Sequence, residues 1–127
     1  MKLFGIGTDI IRVNRLKKSL KKKPFLSRVF SEEEIIKCKR TKKNLNCFAK
    51  RFAAKEAFSK ALGTGIAKGI KFNEIIILNE KNGKPFIKLL PKTKEKVDQK
   101  LKKKKYKISL SLTDEDNYAV AFVTISV

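Results

Sequence analysis

Residues 3–8, LFGIGT, form a short apolar run broken by glycines, which predicts a buried strand where Gly5 and Gly7 let another backbone come close. Asp9 then has the place and chemistry of a helix cap. Val13, Leu16 and Leu20 recur at i, i+3 and i+7, predicting a helix that runs to about Lys22. Arg15, Lys18 and Lys22 repeat that spacing two residues on, which is about 200° around the axis, so the apolar and cationic stripes oppose each other. Pro24 reads as a stop.

Ser31-Glu32-Glu33-Glu34 ahead of Ile35 and Ile36 is a capping box that opens a short helix. A polar connection over residues 39–46 leads to the longest predicted helix, about 46–62, and Gly63 suits the left-handed position beyond its end. The segment Asn73 to Asn79 contains a β-branched run and reads as a buried strand. Asn82-Gly83 turns it into a hairpin with PFIKLL. Pro91 suits the first turn of a lysine-rich helix reaching about Lys103. Tyr106, Ile108, Leu110 and Leu112 alternate with polar residues, predicting a strand with one buried face. An acidic loop over residues 113–117 then precedes a last strand, YAVAFVTISV. The order β-α-α-α-β-β-α-β-β predicts an α+β domain with a mainly antiparallel sheet packed against the long central helix.

With 127 residues there is room for one ordinary domain, expected to span 1–127. No apolar run approaches the roughly 18 residues of a membrane span, and the N-terminal residues lack a secretory pattern, so no membrane and a cytoplasmic site are expected. Cys38 and Cys47 have no CxxC spacing and no histidine beside them, and are expected as free thiols. The net charge of +20 steers anionic partners. Lysines outnumber arginines 27 to five, however, and arginine makes the better forked contacts with phosphates and base edges. Nine Phe, two Tyr and no Trp, with the Phe mostly on predicted core faces, leave no obvious stacking platform. A basic nucleic-acid-binding module is therefore the alternative reading, and no specific nucleic-acid partner is expected.

The helix FAKRFAAKEAFSKALGTG carries the chemistry. Arg51 and Lys55 are a like-charged i, i+4 pair that costs a helix about 0.2–0.5 kcal/mol, while Glu56 and Lys60 gain a similar amount. Two cations held side by side make sense when an anion sits between them. Gly63-Thr64-Gly65 after this basic face could cradle a phosphate. Equally, Glu56–Lys60 could be an ordinary surface pair and the glycines a plain helix stop. Asp9, between glycines that leave room for a bulky ligand, could share one magnesium with Glu56, or serve only as a cap.

GIGTDII at 5–11, RFAAKEAFSKALGTGI at 51–66, NGKP at 82–85 and SLTDEDNYAVAFV at 111–123 resemble holo-acyl-carrier-protein synthases, the short trimeric 4′-phosphopantetheinyl transferases. The resemblance covers essentially the whole chain. It implies an enzyme that moves the phosphopantetheine arm of coenzyme A onto a serine of an acidic apo acyl-carrier protein, in support of fatty acid synthesis. It implies a homotrimer with active sites between subunits, and Mg2+ held by Asp9 and Glu56. Lys60 would reach the coenzyme diphosphate, Arg51 and Lys55 its other phosphate oxygens, and Gly63, Thr64 and Gly65 would border the nucleotide. Arg15, Lys18 and Lys22 would meet the carrier protein. Magnesium and Lys60 would withdraw charge from the diphosphate, and, with no histidine in the chain, Glu56 is expected to take the serine proton, directly or through a metal-bound water. A non-catalytic coenzyme A sensor is disfavoured, because binding alone would not need both carboxylates. The chain departs from the family in two places: Thr113-Asp114-Glu115-Asp116 stands where many members have a histidine, and Arg12 where a glutamate is common.

Overall fold

Strand β1 (Leu3–Arg12) continues well past Asp9, because pairing with β5 (Tyr118–Ser126) holds it extended through Arg12 opposite Tyr118. Asp9 lies opposite Ala121 inside this ladder and caps no helix. The helix expected from Asp9 starts only at Val13: α1 (Val13–Leu20) has Arg12 at its N-cap, with no side-chain cap bond. Asn117, in the β4–β5 turn, serves that end instead, accepting from the Val13 amide through its carbonyl (2.7 Å) and from the Asn14 amide through Oδ1 (2.9 Å). The computed structural model describes residues 1–63, 69–102 and 105–127.

Pro24 does not stop a helix but sits in the first turn of a new one, α2 (Lys23–Val29), where its missing N–H costs nothing. This helix was not expected. The capping box is present as read: Ser31 and Glu34 bond each other's backbone amides at the start of α3 (Glu32–Arg40). Helix α4 (Asn44–Leu62) ends on Gly63 at φ 82°, the left-handed residue expected there. A short 3-10 turn, Phe72–Glu74, leads into the hairpin of β2 (Ile75–Asn79) and β3 (Pro85–Leu89), turned at Gly83. After α5 (Pro91–Leu101), β4 (Lys107–Glu115) pairs antiparallel with β5. Thr113 to Glu115 thus belong to a strand rather than a loop, and the connection shrinks to Asp116 and Asn117, with Asp116 at φ 50°.

The result is a single-domain α+β fold with a three-stranded antiparallel sheet, order β1-β5-β4, and a separate β2-β3 hairpin. Helix α4 crosses the sheet so closely that a Cβ on Gly5 would collide with the Ala61 carbonyl, and one on Gly7 with the Ala57 carbonyl. The glycines therefore make room for α4, not for a ligand. The sheet's inner face (Ala119, Ala121, Val123, Ile125) packs with α4's Ala53, Ala57, Phe58 and Leu62. Its outer face leaves Ile6, Ile10, Tyr118 and Phe122 exposed. Among the described residues, no helix is long and apolar enough to cross a membrane.

The cysteines expected as free thiols are bonded to each other. Antiparallel packing of α3 on α4 brings their Cα atoms to 5.4 Å, within disulfide range, although no sequence spacing advertises it.

Candidate active site

Two cationic and acidic groupings flank α4. In the first, the Gly5–Ala61 and Gly7–Ala57 contacts fix β1 against the helix, so Asp9 from the strand and Glu56 from the helix line one cleft of about 290 Å3. Arg15, Ser19, Phe25 and Phe52 line it as well. Lys60, one turn beyond Glu56, donates to the Thr8 carbonyl at 2.8 Å and to Asp9 Oδ1 at 3.2 Å. Burial raises the Glu56 pKa above the ordinary carboxylate value, and the negative charge of Asp9 raises it further, against the pull of Lys60. Asp9 and Glu56, two carboxylates facing one open cleft, are a donor set suited to a hard divalent cation. Magnesium takes one or two carboxylates and fills the rest of its shell with water and substrate phosphates. The geometry thus brings together Asp9, Glu56 and Lys60, and adds Arg15, which the sequence places on the outer cationic stripe.

That stripe is shorter than expected. Arg15 and Lys18 are exposed on α1, but the helix ends at Leu20, and Lys22 is the N-cap of α2.

Lys55 belongs to the core. Its ammonium is fully enclosed and donates to Glu34 Oε1 (2.6 Å), the Val29 carbonyl (2.6 Å) and the Phe72 carbonyl (2.8 Å), which uses all three of its donors. The structure therefore leaves it no donor for a coenzyme phosphate. Burial pulls its pKa down to about 8 in spite of Glu34. The anion that Lys55 called for is the protein's own Glu34; burial pulls the Arg51 pKa below its ordinary value, against the opposing charge of Glu34. Glu34 accepts from the Ser31 amide and, through Oε2, from the Ile77 amide at 3.0 Å, so one buried carboxylate joins α3, α4 and β2. The capping box was the sequence signal for Glu34, but only of its local role.

Arg51 lines the second grouping, a cleft of about 770 Å3 with Lys42, Lys43, Lys50, Lys81 and Asp114 among its walls. Its Nη1 donates to the Cys47 carbonyl (3.4 Å) and Sγ (3.3 Å), and its Nη2 to Asn79 Oδ1 (3.0 Å). Its Nε is buried with no hydrogen-bond partner among the described residues. Asp114 accepts from Asn46 Nδ2 (2.9 Å) and pairs with Lys50 (3.3 Å); the Asn46 bond, chiefly, holds its pKa below the usual range. Arg12 leaves the acidic cleft altogether and donates to Tyr118 Oη at 3.3 Å. Gly63 ends α4, and among the described residues nothing lies within 4 Å of where a Cβ on it would sit; Thr64 and Gly65 lie outside the described residues.

A family model described as the 4′-phosphopantetheinyl transferase superfamily matches residues 5–123. The chain is 43% identical to a holo-[acyl-carrier-protein] synthase of Pelagibacter ubique, with 98% of each covered. It superimposes on the crystal structure of such a synthase from Neisseria meningitidis with a TM-score of 0.87 at 36% identity, covering 98% of this chain and 99% of that one. The Helicobacter pylori synthase in complex with coenzyme A gives a TM-score of 0.80 at 36% identity, covering 95% and 99%. Sequence and fold agree: this chain belongs to the 4′-phosphopantetheinyl transferase superfamily, as an enzyme of its holo-[acyl-carrier-protein] synthase group.

Proposed function

We propose that this protein transfers the 4′-phosphopantetheine arm of coenzyme A to a serine of an acidic apo acyl-carrier protein, with magnesium, and so activates carrier protein for fatty acid synthesis in the cytoplasm. The observation that supports this most is that Asp9 and Glu56 line one cleft while Lys60 bonds Asp9 beside it. Asp9 and Glu56 would hold the ion. When bound, magnesium would withdraw charge from the coenzyme diphosphate and raise the electrophilicity of its phosphorus.

The protein's own part is positioning and charge. The serine Oγ attacks the phosphorus next to the pantetheine, a new P–O bond forms, and the bond to 3′,5′-ADP breaks. Glu56, whose proton affinity burial and Asp9 raise, takes the serine proton. Lys60 is held by the Thr8 carbonyl and by Asp9, and it is half-exposed, so it can swing its charge onto the departing diphosphate oxygen. Arg51, with Lys42 and Lys43, supplies cations for the remaining phosphate of the nucleotide. Gly63 borders the same coenzyme. Arg15 and Lys18 offer exposed charge to the acidic carrier, with Lys22 at the edge of that surface.

The exposed apolar face of Ile6, Ile10, Tyr118 and Phe122 supports self-association into a homotrimer, because exposed apolar patches of this kind mark protein contacts. The direct test of the reaction follows its leaving group. Release of 3′,5′-ADP should require coenzyme A, magnesium and apo carrier protein together. Release that continues without the carrier would reassign the chain as a hydrolase of coenzyme A.

A further inference from the structure

The disulfide ties the end of α3 to the first turn of α4 across nine residues. The connection it closes carries Thr41, Lys42 and Lys43, which line the larger cationic cleft, as does Cys47 itself. Arg51 stands one turn further along α4, and two of its hydrogen bonds end on the carbonyl and sulfur of Cys47. The bond therefore anchors the connection that carries two lysines of the cleft and the acceptors that aim its arginine.

We propose that Cys38–Cys47 is a redox-responsive site that sets the affinity of this cleft for nucleotide phosphate, the oxidised form binding more tightly. The inference rests on the reading of the cleft as part of the coenzyme site. Cys38 is fully buried and Cys47 is 5% exposed, packed with Phe30 and Phe48, whose rings lie 4.9 Å apart. Two free thiols cannot approach as closely as two bonded sulfurs. In a close-packed interior, the end of α3 and the start of α4 must then part. Arg51's acceptors and the two lysines move with them.

The partner in this chemistry is a dithiol reductant. One of its thiolates attacks Sγ of Cys47, the cysteine that lines the cleft. The S–S bond breaks with its electron pair on Cys38 Sγ, which takes up a proton. The second thiol of the reductant then attacks the mixed disulfide, closing the reductant's own disulfide and releasing Cys47 as a thiol. Two electrons and two protons enter in total, and a disulfide oxidant such as glutathione disulfide reverses the exchange. In a reducing compartment a protein disulfide is typically transient and redox-sensing, which suits a reversible role.

The experiment uses the full chain oxidised with glutathione disulfide, its thiols counted by alkylation and mass spectrometry. 3′,5′-ADP is titrated into it by calorimetry before and after reduction with dithiothreitol. Reduction should weaken binding by about fivefold or more, the lower end of ordinary coupling between sites. The Cys38→Ser variant, altered at the sulfur outside the cleft, should show the reduced affinity under both conditions. Equal affinity in both states overturns the coupling and leaves the cleft reading standing. Binding in neither state overturns the cleft reading, and the proposal with it. Two alkylable thiols that survive the oxidant overturn the redox site itself.

Discussion

The Lys55 ammonium lies 2.6 Å from the Glu34 carboxylate, and neither side chain reaches solvent. Removing one partner strands the other charge in the core, which costs about 3–5 kcal/mol. Glu34→Ala and Lys55→Met should each lose stability on that scale by urea denaturation. The double variant Glu34→Leu/Lys55→Met should recover much of it, since it leaves no unpaired charge. A sum of the two single losses in the double variant would contradict the pairing.

The same lysine imposes a pH dependence. Its folded pKa, about 8, lies below the ordinary 10.5, so between these values the unfolded chain holds more protons. Stability from this group therefore rises as pH climbs from about 8 towards 10.5. Other lysines titrate nearby, so the readout is the difference in slope between the wild type and Lys55→Met. The variant should lack the contribution, and identical slopes would contradict it.

The Glu56 carboxyl should titrate above the ordinary value of 4.5 in metal-free protein, by carboxyl-carbon NMR. Asp9→Asn should lower that midpoint, and Lys60→Met should raise it. Because its proton is held more tightly in the folded state, Glu56 contributes stability at low pH that is lost as pH rises through the raised value. Magnesium added at neutral pH should then raise the melting temperature of the wild type, and Glu56→Gln should forfeit most of that gain.

Gly7→Ala drives a Cβ into the Ala57 carbonyl, a backbone atom that cannot rotate away. Overpacking of this kind costs about 1–3 kcal/mol, occasionally more. Because the shift separates β1 from α4, it should also weaken magnesium binding relative to a surface change such as Lys88→Ala. Unchanged stability in Gly7→Ala would contradict the close crossing.

Arg15→Glu/Lys18→Glu should slow association with the carrier protein and flatten its salt dependence, because rim charges act mainly on the encounter rate. Stopped-flow measurements at two ionic strengths check this, and an unchanged rate constant would remove these residues from the docking surface.

Local signals were legible wherever short-range chemistry settles the backbone. The Ser31–Glu34 box, the left-handed Gly63 and the Asn82-Gly83 turn are such cases, each decided within four residues. Asp9 reads locally as a cap, but its partner strand lies more than a hundred residues away, and pairing with Ala121 overrides the local capping preference. Pro24 was ambiguous in principle, since proline both ends helices and opens them. Lys55 misled because its burial is set by three separate segments, at Val29, Glu34 and Phe72. Helix α4 is enclosed on nearly every side, so its periodicity could not separate a ligand-facing cation from a core one. The cysteine pair had no signal at all: two helices must pack before the sulfurs meet.

Group transfer at the Asp9–Glu56 cleft would be read from the intact mass of an apo acyl-carrier protein. Incubated with this protein, coenzyme A and magnesium, the carrier should gain the mass of one phosphopantetheine on its serine. Asp9→Ala and Glu56→Ala should each reduce the rate by about 10²-fold or more. A carrier whose mass stays unchanged with folded wild-type protein, or one modified at full rate by both variants, would contradict the account.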